Sequence, residues 1–134
     1  MDCFELRTSP NPCFLEAPPP GYGVGWVRIG GLDETIFFST QIWSPSDYAQ
    51  HWRVSATLLL DGETGVLCTD LTEENASIFV GFPDGSMIEF EEWIVPRREL
   101  ELDGHQLKIT SHERSDNASR WRVSADAVRV FATI

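Results

Sequence analysis

The sequence IWSPSDY at residues 42–48 begins the stretch that decides the fold, a single amphipathic helix that continues to Leu60. Ser44 carries the side-chain oxygen that a helix N-cap needs, and Pro45 suits the first helical position because its missing N–H has no helical partner there. Asp47, three residues after the cap, completes a capping box at the positive end of the helix dipole. An apolar stripe at helical spacing predicts the buried face: Tyr48, Trp52, Ala56, Leu59 and Leu60.

Segments on both sides of this helix alternate in hydropathy and predict strands joined by short turns. The predicted strands are 24–29 and 35–40 before the helix, and 66–71, 76–82, 87–95, 107–111 and 119–123 after it, with 100–102 as a further short segment. A loop of about five residues, 30–34, is predicted to close the first hairpin. Ser124 is predicted to cap a last helix over 125–133.

Consecutive strands joined by short turns pair antiparallel, and the two helices are predicted to cover them. The sequence therefore predicts an α+β fold with two antiparallel sheets of about seven strands, one central amphipathic helix and a C-terminal helix. The length fits a single domain over residues 1–134. Within it, residues 1–23 are predicted to form an irregular N-terminal arm, because their Pro residues interrupt helices and sheet interiors.

The strand predicted over 87–95 has an interrupted alternation. Phe90 falls on the apolar face and Glu89 on the polar face. Strict alternation then puts Glu92 on the face of Phe90 and Trp93 on the face of Glu89. A β-bulge near 91–92 would reset the pattern. The alternative is a short strand that ends at this point.

Acidity is the outlying feature of the composition, with 21 acidic residues against 10 basic ones and a net charge of −11. Such a charge argues against nucleic acid and anionic membranes as partners and favours cationic ones. Twelve of the acids lie between Asp61 and Asp103, where the basic residues are Arg97 and Arg98. A localised acidic face indicates a basic protein partner, although acidity can also serve solubility alone.

The three cysteines, Cys3, Cys13 and Cys68, form no CxxC pair and follow no signal peptide. Free thiols in a reducing compartment are expected, the alternative being a Cys3–Cys13 bridge. Cys68 is predicted to be a buried, unreactive thiol because its strand is apolar.

Catalytic signatures are weak. The three histidines are far apart in sequence and lack ligand spacing, so no metal site or cofactor is predicted, and His51 is expected to be solvated. No Gly-x-Ser-x-Gly elbow is present. Paired carboxylates leave a small hydrolase open as an alternative to a protein without enzymatic activity.

Four segments in this order form a recognisable set: the helix stretch with Trp43 and Trp52, ENASIF at 74–79, VPRRE at 95–99 and SRWRVS at 119–124. Together they resemble immunity proteins of bacterial contact-dependent growth inhibition systems. The resemblance covers about residues 36–131. It implies a fold similar to Whirly single-strand DNA-binding proteins, used here to bind a toxin domain, typically a nuclease, and to block its active site in the cytoplasm.

The predicted function is therefore that of an immunity protein that covers a basic toxin cleft with an acidic surface, in a 1:1 complex. Nucleic acid and membranes are not expected as partners. An interaction module for another basic protein, and a single-strand nucleic-acid binder opposed by the net charge, are the other hypotheses. The predicted toxin-binding residues are Asp70, Glu73, Glu74, Phe82, Asp84, Glu89, Glu91, Glu92 and Trp93.

Overall fold

A computed structural model describes residues 2–9, 18–111 and 117–133. Within these ranges the chain forms nine strands, two α-helices and a 3₁₀ turn at Arg97–Glu99. The elements in chain order are β1 (Phe4–Ser9), β2 (Tyr22–Ile29), β3 (Leu32–Ser39), α1 (Pro45–Leu60), β4 (Gly65–Leu71), β5 (Asn75–Asp84), β6 (Met87–Pro96), β7 (Leu100–Asp103), β8 (Gln106–Ile109), β9 (Arg120–Ser124) and α2 (Ala125–Ala132).

The strands form antiparallel sheets, which confirms the predicted α+β class. One sheet has the order β1-β2-β3, a second β4-β5-β6-β9, and β7 pairs with β8 in a small third one. The described chain thus holds more strands than the predicted seven, and three sheets in place of two. No helix in the described ranges combines the length and apolarity that a membrane span requires.

The prediction of an irregular arm over residues 1–23 is wrong for its first part, which forms β1. Phe4 stacks on Phe90 with ring centroids 5.4 Å apart and meets the edge of Phe131 at 5.2 Å. Burial of Phe4 and Leu6 supplies the apolar contact that fixes this strand, a long-range effect that local Pro content does not reveal. Residues 10–17 lie outside the described ranges, and Cys13 with them.

Two-residue turns close the hairpins β2–β3, β5–β6 and β7–β8. Each turn begins with a glycine at positive φ, namely Gly30, Gly85 and Gly104. Glycine at the first central position is the type II′ pattern, whose twist matches that of the flanking strands. The predicted five-residue loop over 30–34 is therefore wrong, because Ile29 pairs directly with Leu32.

Helix α1 begins as the sequence predicts. The Ser44 hydroxyl accepts a hydrogen bond from the Asp47 backbone N–H at 3.2 Å, and the Asp47 carboxylate accepts one from the Ser44 backbone N–H at 2.9 Å. Tyr48, Trp52 and Ala56 are buried, as the apolar stripe predicts. Local chemistry alone is therefore enough to place this element.

The same helix covers the free edge of β4, where it satisfies backbone groups that a neighbouring strand would otherwise bind. His51 Nε2 accepts from the Cys68 backbone N–H at 2.9 Å, and Trp52 Nε1 donates to the Cys68 carbonyl at 2.7 Å. Further along, Ser55 donates to the Val66 carbonyl at 2.6 Å. An exposed edge would be a template for unwanted pairing, so this cover protects the sheet.

His51 is buried, and the prediction that it is solvated is wrong. Its other ring nitrogen, Nδ1, donates to the His105 carbonyl at 2.6 Å, so the imidazole links β4 to the β7–β8 turn. Burial lowers the pKa of His51 to about 4. Cys68 is buried as predicted, and burial raises the pKa of its thiol to about 12.

Strand β6 contains no bulge at 91–92. Its register with β5 is continuous from Asn75–Pro96 to Asp84–Met87, and the irregularity in this sheet lies in β4 between Cys68 and Asp70. The alternation of apolar and acidic residues breaks because one face of β6 is buried in its first half and the opposite face in its second half. Phe90 is buried on one face, and two residues further along the same face Glu92 is exposed.

Candidate protein-interaction surface

Five of the nine predicted residues share one face of the β5–β6–β9 sheet. Directly opposite residues in antiparallel strands point to the same side, as do alternate residues along a strand. Phe82 pairs with Glu89, which in turn pairs with Arg122, and Glu91 pairs with Arg120. We call this set the mixed-charge face: Phe82, Asp84, Glu89, Glu91, Trp93, Arg120 and Arg122.

Glu91 lies at the centre of the mixed-charge face and is fully buried. Its carboxylate accepts from Trp93 Nε1 at 3.1 Å and from Arg120 Nε at 3.3 Å. The Arg120 side chain remains 42% exposed and also lies 3.9 Å from Glu89. A buried carboxylate is tolerated only when it is paired and hydrogen-bonded, so Glu91 orients its neighbours from beneath the surface.

Aromatic side chains border these charges. The Phe82 and Trp93 rings lie 6.2 Å apart, with Phe82 half-buried and Trp93 9% exposed. Arg122 Nη2 lies 3.7 Å from the Asp84 carboxylate at the exposed end of the face. Three carboxylates thus meet two guanidinium groups here, and the face is less acidic than the sequence stretch that supplies its acids.

Removal of Arg120 tests this arrangement. We expect Arg120→Ala and Glu91→Gln each to lower the free energy of unfolding by about 2 kcal/mol, below the range for a fully buried pair because Arg120 is partly exposed. The double variant should lose less than the two single losses combined, by about 1 kcal/mol, because both substitutions break one interaction. Urea unfolding of the four proteins measures this, and strictly additive losses would contradict the coupling.

The other four predicted residues lie apart from this face. Glu92 is exposed on the opposite side of β6. Loss of hydration, followed by the negative charge of Glu34 on β3, raises its pKa. Asp70 is half-buried and accepts from the Ser39 backbone N–H at 2.7 Å, so it joins β3 to β4.

Glu73 and Glu74 are exposed in the turn between β4 and β5. Strand β5 has ten residues, and at about 3.3 Å per residue it separates this turn from Asp84 by about 30 Å. The predicted acids therefore occupy both ends and both faces of the sheet. In the described chain no group of three or more His, Cys, Asp or Glu side chains is placed to hold a metal ion.

Arg120 and Arg122 lie on the mixed-charge face, although the sequence analysis did not single them out. β9 pairs antiparallel with β6, which sets the two arginines opposite Glu91 and Glu89. Glu89 and Glu91 are two residues apart along β6, as are Arg120 and Arg122 along β9. This spacing is the sequence signal for a cross-strand charge ladder. Finding it requires the pairing of strands far apart in the chain.

The outer face of the β1–β2–β3 sheet forms a second polar surface around Trp26. The indole Nε1 donates to Glu5 at 2.9 Å, and the Arg7 guanidinium lies 5.6 Å from the ring centroid. Arg28 and Asp33 form an ion pair at 3.4 Å beside them. These side chains line a concavity of about 410 Å³ whose charges pair with one another.

One solved structure has a similar fold across the whole chain. A chain of the CdiA-CT/CdiI toxin and immunity complex from Enterobacter cloacae aligns with a TM-score of 0.72, covering 97% of this chain and 96% of that chain. The sequence identity is 15%, so the likeness concerns the fold. No protein-family model matches the sequence, and no curated protein matches it.

Proposed function

We propose that this chain is an immunity protein that binds and neutralises the toxin domain of a contact-dependent growth inhibition effector. The observation that carries the proposal is the full-length fold likeness to a chain of a toxin and immunity complex. The ordered sequence segments that resemble contact-dependent growth inhibition immunity proteins support it independently. Neutralisation in the cytoplasm of the cell that makes the protein is part of this proposal.

The charge supports the immunity role over the toxin role. A nuclease toxin needs a basic cleft for its substrate, whereas this chain has a net charge of −11 and a sequence pI of about 4.5. Opposite charges accelerate association between two proteins and orient their encounter. We therefore propose a nuclease as the toxin and a 1:1 complex in which carboxylates occupy its phosphate-binding cleft.

Individual roles follow from exposure. The exposed Asp84 and the half-exposed Glu89 of the mixed-charge face are proposed to enter the toxin cleft. Glu73 and Glu74 at the other end of the sheet, and Glu92 on its opposite face, are proposed to attract the toxin through their charge. Phe82 supplies an aromatic anchor next to Trp93, and such residues often carry much of an interface's binding energy. Glu91 and Asp70 are proposed to act indirectly, by holding Arg120 and the β3–β4 junction in place.

We infer that the protein has no enzymatic activity of its own. A carboxylate pair of a hydrolase needs both groups accessible to substrate. Glu89 and Glu91 are adjacent on their face, but both lie beside Arg120 and Glu91 is buried. Among the other predicted toxin-binding acids, Asp84 lies at the exposed end of the same face beside Arg122, and the rest lie on other faces or at the far end of the sheet.

The gene immediately upstream provides the test. We expect it to encode a large secreted protein with a variable C-terminal domain, and we expect that domain to bind this protein and to lose its toxicity. The triple variant Asp84→Lys, Glu89→Lys and Glu92→Lys should bind at least tenfold more weakly in calorimetry at moderate salt. The expected loss is equivalent to about 1.4 kcal/mol of binding free energy.

A matched variant controls for net charge. Asp61→Lys, Glu63→Lys and Glu101→Lys change the charge by the same amount at three exposed positions outside the proposed surface. Equally weakened toxin binding in both triple variants would mean that net charge, and not the proposed surface, determines binding. Failure of the wild-type protein to bind or protect would overturn the immunity function itself.

A further inference from the structure

The outer edge of β3 carries backbone groups that face away from β2. β3 is the last strand of the β1-β2-β3 sheet, and its register with β2 is continuous from Tyr22–Ser39 to Ile29–Leu32. The Thr40 N–H donates to the Gly21 carbonyl, so residue 40 faces β2. The neighbouring residue Ser39 faces outward. Because backbone groups alternate along an antiparallel edge, Asp33, Thr35 and Phe37 face outward too.

The described part of the fold covers one end of this edge and places no hydrogen-bond partner along the rest. The Ser39 N–H donates to Asp70 and its carbonyl accepts from the Tyr48 hydroxyl at 2.8 Å. Within the described ranges, the outward N–H and C=O groups of Asp33, Thr35 and Phe37 have no hydrogen-bond partner, and all three residues are exposed. The edge of β4, by contrast, is satisfied by side chains of α1.

Charge and apolar surface along this edge indicate the chemistry of a partner. At one end lie Asp33, which pairs with Arg28, and the exposed Glu34, whose negative charge contributes to the raised pKa of Glu92 on β6. Phe37, 39% exposed, lies at the other end. A complementary strand carries a Lys or Arg toward the acids and an apolar side chain toward Phe37. A second copy of this chain would instead add to the negative charge.

We propose that the edge of β3 from Asp33 to Phe37 receives an extended basic segment of the toxin domain as an additional strand. This proposal rests on the proposed immunity function and adds a mode of recognition to it. Backbone hydrogen bonds supply the attachment, and the side chains on both faces of β3 select the sequence of the segment.

Amide hydrogen exchange of the complex with the upstream-encoded toxin domain tests the proposal. In the free protein we expect rapid exchange at Asp33, Thr35 and Phe37, and slow exchange at the alternate residues Glu34 and Ile36, which face β2. In the complex, exchange at the three outward amides should slow at least tenfold. Unchanged exchange at these amides in a formed complex would overturn the strand-addition proposal while leaving the immunity function intact.

Proline at position 35 separates edge pairing from fold stability. Thr35→Pro removes only an outward N–H, and Pro is tolerated on edge strands in that orientation. We expect circular dichroism and thermal unfolding close to wild type but binding at least tenfold weaker. Thr35→Val keeps the N–H and the β-branched shape, and should bind like wild type. Equal binding by the Pro and Val variants would contradict the proposal.

Two further outcomes are distinguishable. Concentration-dependent protection of the three amides without toxin would assign the edge to a second copy and overturn the proposed occupant. Absence of any binding by the wild-type protein would overturn the immunity function and this inference together. Glu34→Lys should weaken binding more than Glu63→Lys, an equal charge change at an exposed position after α1, and equal effects would exclude a basic segment at this edge.

Discussion

Trp52→Ala is expected to lower the free energy of unfolding by about 4 kcal/mol, the largest loss from a single side chain considered for this protein. Trp52 is 1% exposed, so its truncation leaves a large cavity in the core. It also leaves the Cys68 carbonyl without its indole donor, and an unsatisfied buried acceptor adds to the cost. Urea unfolding followed by circular dichroism measures the loss.

Trp52→Phe serves as the control because it retains most of the apolar volume and removes the N–H donor. We expect it to cost about 2 kcal/mol, part from the smaller ring and part from the lost hydrogen bond. A domain of this size is stable by only about 5–15 kcal/mol, so the alanine variant should be measurably unfolded at modest denaturant. Equal stability of the two variants would show that the packing of this indole contributes little.

The role of Trp52 illustrates how α1 organises the fold. The helix packs an apolar stripe on the sheet and, from the same face, directs polar atoms at the free edge of β4. The Tyr48 hydroxyl is one of them: it accepts from the Leu71 N–H at 2.9 Å and donates to the Ser39 carbonyl of β3. One helical face therefore joins the two larger sheets.

Helix α1 was predictable to the residue because its start is encoded locally, by Ser44, Pro45 and Asp47. The hairpins were predictable in kind, since glycine turns and alternation are local signals, although the Gly30-Gly31 turn is tighter than expected. β1 was missed because its strand depends on Phe4 meeting Phe90, a contact across more than eighty residues. The sequence around Phe4 does not indicate such a contact.

The mixed-charge face was less predictable for the same reason. The sequence between Asp61 and Asp103 is acidic, but the pairing of β9 with β6 places Arg120 and Arg122 among its acids. Burial of Glu91 likewise depends on the cross-strand partner and on Trp93. Net charge along a sequence therefore overstated the acidity of this face.

His51 lies outside the predicted apolar stripe of α1, and yet its side chain is buried in the core. Position 51 lies one helical turn from Tyr48 and from Ser55, so its side chain points toward the β4 edge. Hydrogen bonds at both ring nitrogens, to the Cys68 N–H and the His105 carbonyl, fix the neutral tautomer with its proton on Nδ1. A charged imidazole could not accept the Cys68 bond.

Acidification is therefore expected to destabilise the protein through His51. The unfolded chain binds a proton at this residue below pH 6.5, whereas the folded chain resists protonation until about pH 4. Because the unfolded state binds more protons in this window, the free energy of unfolding falls as pH falls, at up to about 1.4 kcal/mol per pH unit. The whole window accounts for about 3 kcal/mol, all of it present above pH 6.5.

His51→Gln isolates this contribution. A glutamine side chain can donate to the His105 carbonyl and accept from the Cys68 N–H, but it does not titrate. We expect the variant to be somewhat less stable than wild type at pH 7.5. The difference should shrink or reverse by pH 4.5, as measured by urea unfolding at each pH. Carboxylates that titrate in both proteins cancel in this comparison. A difference that stays constant across the window would mean that His51 is protonated in the folded protein without cost, which contradicts its buried, neutral role.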